Sequence, residues 1–289
     1  MAISFAISDL IFHATEVKST GMQTDERLFP RYLSLAFFCV CTPLLIPLRL
    51  TMPGAVAWLI GVGALVSVKN NTFRIRLGIL YIVIAGLALS PINTGLQTRH
   101  FIMLGIPFAG ALFGPTIILR LIGDRGAIDW KFWPRKFSFL DVFYTAISIP
   151  LAWWVFKWYF FMNPDMPTHW LQPPEYDREQ AVRLIIGINC VGIWDELFFI
   201  NTVYGCLRSV FPARWANLGQ AVIYTSVLNR MAFTGVGLFI VGLFALTQGL
   251  MYEKSRCLLY VLMVHVIVDV FLLMAIFHHY YPAMTPAWF

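Results

Sequence analysis

The sequence predicts an all-α, polytopic membrane protein with about nine transmembrane helices. Three observations carry this reading. Of the 289 residues 59% are hydrophobic and 12% charged, about half the charged share of a soluble domain. Apolar runs of 17 to 24 residues recur along the whole length, each long enough to span a bilayer. Lys and Arg alternate between abundant and scarce from one connection to the next.

The predicted spans lie at about 32–48, 53–68, 77–96, 100–119, 139–161, 184–207, 216–232, 234–252 and 257–277. Fifteen of the 21 Lys and Arg stand before the first span or in the second, fourth, sixth and eighth loops, among them Lys69, Lys131 and Arg256. The other six, such as Arg49 and Arg183, stand on the opposite side. Basic residues mark cytoplasmic loops, so the N-terminus is expected inside and the C-terminus outside, in the plasma (inner) membrane. The seventh span is the shortest, and removing it would invert every later loop and spoil the bias. The chain then divides into a cytoplasmic segment 1–31, N-terminal membrane helices 32–161, an extracytoplasmic loop 162–183, a helical core 184–277 and an extracytoplasmic tail 278–289.

Within 1–31 no cleavable signal is expected, because the first fourteen residues lack a basic start and a small-residue cleavage site. Ile3, Ile7, Leu10 and Ile11 share one helical face opposite Ser4 and Ser8, a pattern for a short helix lying on the inner leaflet; a disordered tail is the alternative. The loop 162–183, rich in proline and acids, suggests an ordered cap or entrance rim. Gly110 and Gly114 form a GxxxG, which is expected to let two helices of this chain approach closely. The five cysteines, an odd number without a CxxC pair, read as packing residues and not as a disulfide framework or zinc site. A net charge of +6 is accounted for by cytoplasmic loops and needs no nucleic-acid partner.

The informative stretch is GIWDELFFINTVYG, Gly192 to Gly205, which places Asp195 and Glu196 side by side in an apolar run. An ionisable side chain at the centre of a membrane helix costs roughly 2.5–3.5 kcal/mol on insertion scales, so such groups face the bundle interior. Only three spans carry them deeply: the sixth with Asp195 and Glu196, the ninth with His265 and Asp269, and the seventh with Asn229 and Arg230. These spans are expected to meet. His265 and Asp269 are four residues apart and share a helix face. Asp195 and Glu196 diverge by about 100°, so one is expected to face His265 and the other to pair elsewhere. A carboxylate beside a histidine is what activation of water by a general base requires. A buried network that pins three helices together, a proton or ion path, and a metal site built on His265, Asp269 and an acid are the other readings; no HExxH is present.

At these residues the sequence resembles the CAAX-protease and bacteriocin-processing (CPBP) family of intramembrane proteases. Their motifs EExxxR, FxxxH and HxxxN align with Asp195–Ile200, Thr225–Asn229 and His265–Asp269. Glu196 and His265 match letter for letter. Asp195 replaces the first glutamate, Ile200 the arginine, Asn229 the second-motif histidine and Asp269 the final asparagine. The resemblance covers roughly 184–277 and implies a CPBP-like helical bundle. It further implies an intramembrane endopeptidase that cleaves a membrane-associated, hydrophobic peptide with carboxylate- and histidine-activated water, without metal or cofactor. Catalytic roles carry over to Asp195 as base, Asn229 as hydrogen-bond donor, His265 as oxyanion donor or substitute base, and Asp269 as its orienter. Glu196, deprived of the motif arginine, is expected to be neutral and structural. The alternative is a non-catalytic relative serving as a membrane scaffold or assembly partner. Membrane lipid is a partner in either case.

Overall fold

The computed structural model describes residues 28–134, 138–164, 166–170, 172–231 and 233–286, so the amphipathic segment expected at 3–11 lies outside the described residues. Among the described residues nine long helices follow one another: α1 Phe29–Leu45, α2 Thr51–Ser67, α3 Asn71–Leu89, α4 Thr98–Leu121, α5 Phe139–Met162, α6 Arg178–Arg208, α7 Ala213–Asn229, α8 Val236–Ser255 and α9 Leu258–Tyr280. Six of them, α3 to α6, α8 and α9, are long and apolar enough to cross a membrane. The helices α1 and α2 are apolar but only 17 residues long, and α7, also 17 residues, carries Asn217 and Gln220 in its middle. The protein is a polytopic helical membrane protein.

Local chemistry sets the ends. The side chain of Asn70 accepts from Phe73 N at 2.9 Å and starts α3, and Ser90, ahead of Pro91, ends it because a residue before proline avoids helical backbone. The third span therefore begins and ends about six residues earlier than 77–96. Arg74 and Arg76, assigned to a loop by their charge, stand inside its first turns. Arg76 makes a two-pronged bond to Asp124 beyond α4, at 2.8 and 2.7 Å, and the guanidinium holds the Asp124 carboxyl below its usual value. Asp177 caps α6 by accepting from Glu179 N at 2.8 Å.

The first three helices lock together at one point. Ser34 donates to the Gly61 carbonyl at 3.0 Å, and the Tyr81 hydroxyl donates to the Ser34 carbonyl at 2.7 Å. A side chain at position 61 would collide with that hydroxyl. At the centre of the molecule stand α6 and α9, each with 56% of its most apolar window buried, against 28% for α4 and α5. A second close approach joins α7 to α8, where Gly249 lies against the Asn217 side chain.

Among the described residues the glycines of the GxxxG make no close helix–helix approach. Neither Gly110 nor Gly114 has any atom within 4 Å of where a Cβ would stand, and both line a shallow groove beside α3. The cysteines are all free; Cys41, Cys206 and Cys257 are buried as packing residues would be, whereas Cys190 is exposed.

The bundle has two distinguishable ends. At one, Lys131 accepts from Leu258 N at 2.9 Å, so this loop lies across the start of α9. Glu253 gathers Tyr204, Arg208 and Arg256 there. At the other end, about 34 Å away along 23 residues of α9, the loop after α5 folds back onto the bundle. Its short helical turn, Met166–His169, buries Met166 and the adjoining Trp170 against Phe156, Leu184 and Ile276. Tyr281 donates to the Pro173 carbonyl at 2.7 Å. This loop is a packed cap.

Candidate active site

The centre of α6 departs from α-helical geometry at the acidic pair. Asp195 closes the α-helical part, and Glu196 opens a π-helical stretch, Glu196–Tyr204, before α geometry returns at Gly205. The Thr202 hydroxyl reaches back five residues to the Leu197 carbonyl at 3.1 Å. Such π stretches are rare and concentrate at functional sites. Trp194 anchors the turn before it, donating from Nε1 to the Phe108 carbonyl at 2.7 Å and stacking on the Phe108 ring.

Across from this stretch, α9 presents His265 and Asp269 one turn apart. The helices come this close because position 192 is glycine: a methyl there would fall on Asp269 Oδ2 and stand 2.7 Å from His265 Cδ2. The acids do not divide as their spacing suggests. Both face His265, one on each edge of the ring. Glu196 Oε1 is 2.7 Å from Nδ1, and Asp195 Oδ2 is 3.8 Å from Nε2. Asp269 Oδ1 joins the second edge, 3.6 Å from Nε2. The imidazole, held between two adjacent residues of α6, meets both despite their divergence.

Nor is Glu196 alone. Its Oε1 also accepts from the Tyr224 hydroxyl of α7 at 3.2 Å and from Gln248 Nε2 of α8 at 3.0 Å. The loss of the motif arginine to Ile200, itself fully buried, is thus met by neutral donors from two other helices. Tyr224 lies 3.1 Å from His265 Nδ1 as well. The sixth, seventh and ninth helices meet, and the eighth with them.

The seventh helix contributes in a different register from the one its letters suggested. Tyr224 and Leu228 face inward, four residues apart and both buried, one place ahead of Thr225 and Asn229. Asn229 instead donates to the Phe233 carbonyl at 3.3 Å, at the end of its helix. Tyr224 and Gln248 were missed by sequence reasoning. A tyrosine one place ahead of the second motif and a lone glutamine in an apolar helix were the available signals.

The ring also divides the site into two environments. Behind it, Glu196 and Tyr224 are fully buried. In front, Asp195, His265 and Asp269 line a cavity of about 770 Å³. Its walls are Phe, Leu, Val, Ile and Trp from α4, α5, α6 and α8, and Trp170 of the cap closes one end. Asp195 Oδ1 and Asp269 Oδ2 are buried with no hydrogen-bond partner among the described residues. Phe113, Leu151 and Trp154 line the cavity yet are 52, 53 and 60% exposed, so it opens between α4 and α5 onto the lipid-facing surface. Among the described residues no His, Cys, Asp and Glu side chains form a group of three arranged to hold a metal ion.

Residues 177–271 match the family model described as "Type II CAAX prenyl endopeptidase Rce1-like". The match covers about a third of the chain and contains Asp195, Glu196, Tyr224, Gln248, His265 and Asp269. It agrees with the resemblance to the CPBP proteases carried by the three motifs. No curated protein and no solved structure matches the chain.

The close approach at position 192 can be tested directly. Overpacking a tight contact costs about 1–3 kcal/mol, so Gly192→Ala is expected to lower the midpoint of thermal unfolding in detergent, whereas Gly105→Ala, in open space, is not. Equal midpoints for the two variants would mean that α6 and α9 are not in close contact there.

Proposed function

We propose that this protein, with its CAAX-endopeptidase-like core, is an intramembrane peptidase that hydrolyses a hydrophobic, membrane-associated peptide. The observation that carries this reading is the arrangement of polar groups in the cavity. An apolar chamber open to lipid ends on two carboxylates and one imidazole edge, all buried. Buried charge in a membrane is costly, and the two aspartates that line the chamber each keep one buried oxygen without a hydrogen-bond partner among the described residues.

In the proposed reaction a water held between Asp195 and the Nε2 edge of His265 gives up its proton to this pair as its oxygen attacks the peptide carbonyl carbon. The carbon–nitrogen bond then breaks, and the pair returns the proton to the departing amine nitrogen. Glu196 acts from behind by holding the ring, a role reversed from the neutral, uninvolved acid expected from its lost arginine. Asp269 orients the same edge. Asn229 has no part in this scheme.

One observation favours the scaffold alternative. The inward position on α7 nearest to that of the family's second histidine is Leu228, which can neither donate nor shuttle a proton. A scaffold would retain function when the carboxylates are replaced by amides. The orientation we propose keeps the Lys131 end in the cytoplasm and the capped end outside, from the excess of Lys and Arg at the former.

Two measurements follow. With a genuine peptide substrate, Asp195→Asn is expected to lower kcat by about 10²–10⁴-fold, the range for a lost general base. Glu196→Gln, which keeps shape but weakens a charge-assisted bond, is expected to lower it by about 10–100-fold; full turnover in Asp195→Asn would end the catalytic reading. Separately, cysteines placed at Lys131 and Asp177 should be labelled from opposite sides of the membrane in intact cells, that at Asp177 by an impermeant reagent. Labelling of both from one side would refute the orientation.

A further inference from the structure

We infer that Gln248 is a positioning residue that keeps a proton on His265 Nδ1, so that Nε2 is the nitrogen that exchanges its proton with the cavity. The consequence for catalysis rests on the peptidase reading above; the assignment of the proton does not.

The orientation of the Gln248 amide follows from its neighbours. Gln248 Nε2 lies 3.0 Å from Glu196 Oε1 and 3.0 Å from the Val261 carbonyl. Both neighbours are oxygens, and a carbonyl has no proton to give. Turning the amide over would press its own oxygen against the Val261 carbonyl in a fully buried setting, where an unmade hydrogen bond costs its full desolvation. The NH2 group therefore points at both, and its two hydrogens are spent. Val261 stands one helical turn before His265, on the same helix, so Gln248 ties the acid of α6 directly to the backbone that carries the imidazole.

This orientation dictates what Glu196 Oε1 does. It receives the Gln248 amide and the Tyr224 hydroxyl, and so serves as an acceptor. With Glu196 ionised, its Oε1 can only accept, and at 2.7 Å from Nδ1 the proton between them belongs to nitrogen. Were Nδ1 bare, two lone pairs would face each other at that distance. The groups facing the ring from every packed helix agree. Asp195 and Glu196 come from α6, Tyr224 from α7 and Gln248 from α8, where Phe244 also meets the ring edge-on at 5.5 Å between centroids. Asp269 comes from α9. Only acceptor carboxylates approach Nε2, at 3.6 and 3.8 Å, too far for a direct bond. The neutral ring thus carries its proton behind and its lone pair in front.

The chemistry follows. Nε2 takes the proton from water while the water oxygen bonds to the carbonyl carbon, and the same nitrogen gives it to the amine as the carbon–nitrogen bond breaks. The Nδ1 proton never leaves the Glu196 side. This makes His265 a base in this protein and not only a donor to an oxyanion.

The test is nitrogen-15 spectroscopy of the full-length protein in lipid nanodiscs with labelled histidine, the His265 signals being assigned by their loss in His265→Gln. Over the titration of the ring the neutral form of the wild type should carry its proton on Nδ1. Gln248→Met should yield mixed tautomers and, on a cleaved peptide, a fall of about 10–100-fold in kcat at unchanged KM. Tyr224→Phe, which leaves both Gln248 bonds in place, should keep the wild-type tautomer. A neutral wild-type ring protonated on Nε2 would overturn the inference without any variant, and so would a folded Gln248→Met protein with the wild-type tautomer. If no peptide is cleaved by the wild type, the peptidase reading falls while the spectra still decide where the proton resides.

Discussion

The rest of the site depends on the 2.7 Å contact between Glu196 and His265. It joins the two most deeply buried helices near the middle of the bundle, where Glu196 is fully buried and His265 nearly so. Such a contact is stable only when the carboxylate finds donors and the imidazole finds acceptors. The surrounding helices supply the donors, Tyr224 from α7 and Gln248 from α8, and Glu196 itself is the acceptor for the imidazole. Gly192 permits the approach, and the π-helical stretch begins at the residue that makes the contact. Each of these features is unremarkable alone; together they exist because one ion-forming pair sits in hydrocarbon.

That contact also separates two tasks. Behind the ring, Glu196 Oε1 accepts from Tyr224 and Gln248 and meets His265 Nδ1, which fixes geometry. In front of it they are buried but unbonded, which leaves capacity for a reactant. The chamber continues this asymmetry, since its walls offer almost nothing polar between the aspartates and the capped end. An amphipathic guest would therefore be oriented by burial of its apolar part and would meet polar groups only at the ring. On the proposed function, a guest would enter past the exposed chamber walls Phe113, Leu151 and Trp154 of α4 and α5.

Much of this was legible in the sequence. Apolar run lengths located the nine long helices of the described residues, and the cost of charge in lipid picked out Asp195, Glu196, His265 and Asp269. What escaped was the consequence of three-dimensional placement. Helical periodicity predicted that adjacent acids diverge, which is true of their directions but ignores that an imidazole has two nitrogens on opposite edges. The lost arginine suggested an unpartnered Glu196, because partners were sought nearby in sequence, whereas Gln248 lies 52 residues away. The seventh helix was read one residue late, since Asn229 looked more like a functional residue than Leu228; its amide instead closes a helix end. Gly110 and Gly114 spell a packing motif, yet among the described residues no atom comes within 4 Å of where their side chains would stand.

The central claim is that His265 is gripped by Glu196 on one nitrogen and offers the other, flanked by Asp195 and Asp269, to a guest in the chamber. An experimental structure in lipid with a hydrophobic peptide aldehyde, at a resolution that places side chains, tests it most directly. The account expects Glu196 within hydrogen-bond distance of Nδ1 and the aldehyde carbon in the chamber beside Asp195 and Nε2. A ring turned so that Nδ1 faces the chamber, or a peptide bound away from Asp195 in a protein whose Glu196 no longer touches His265, would contradict it.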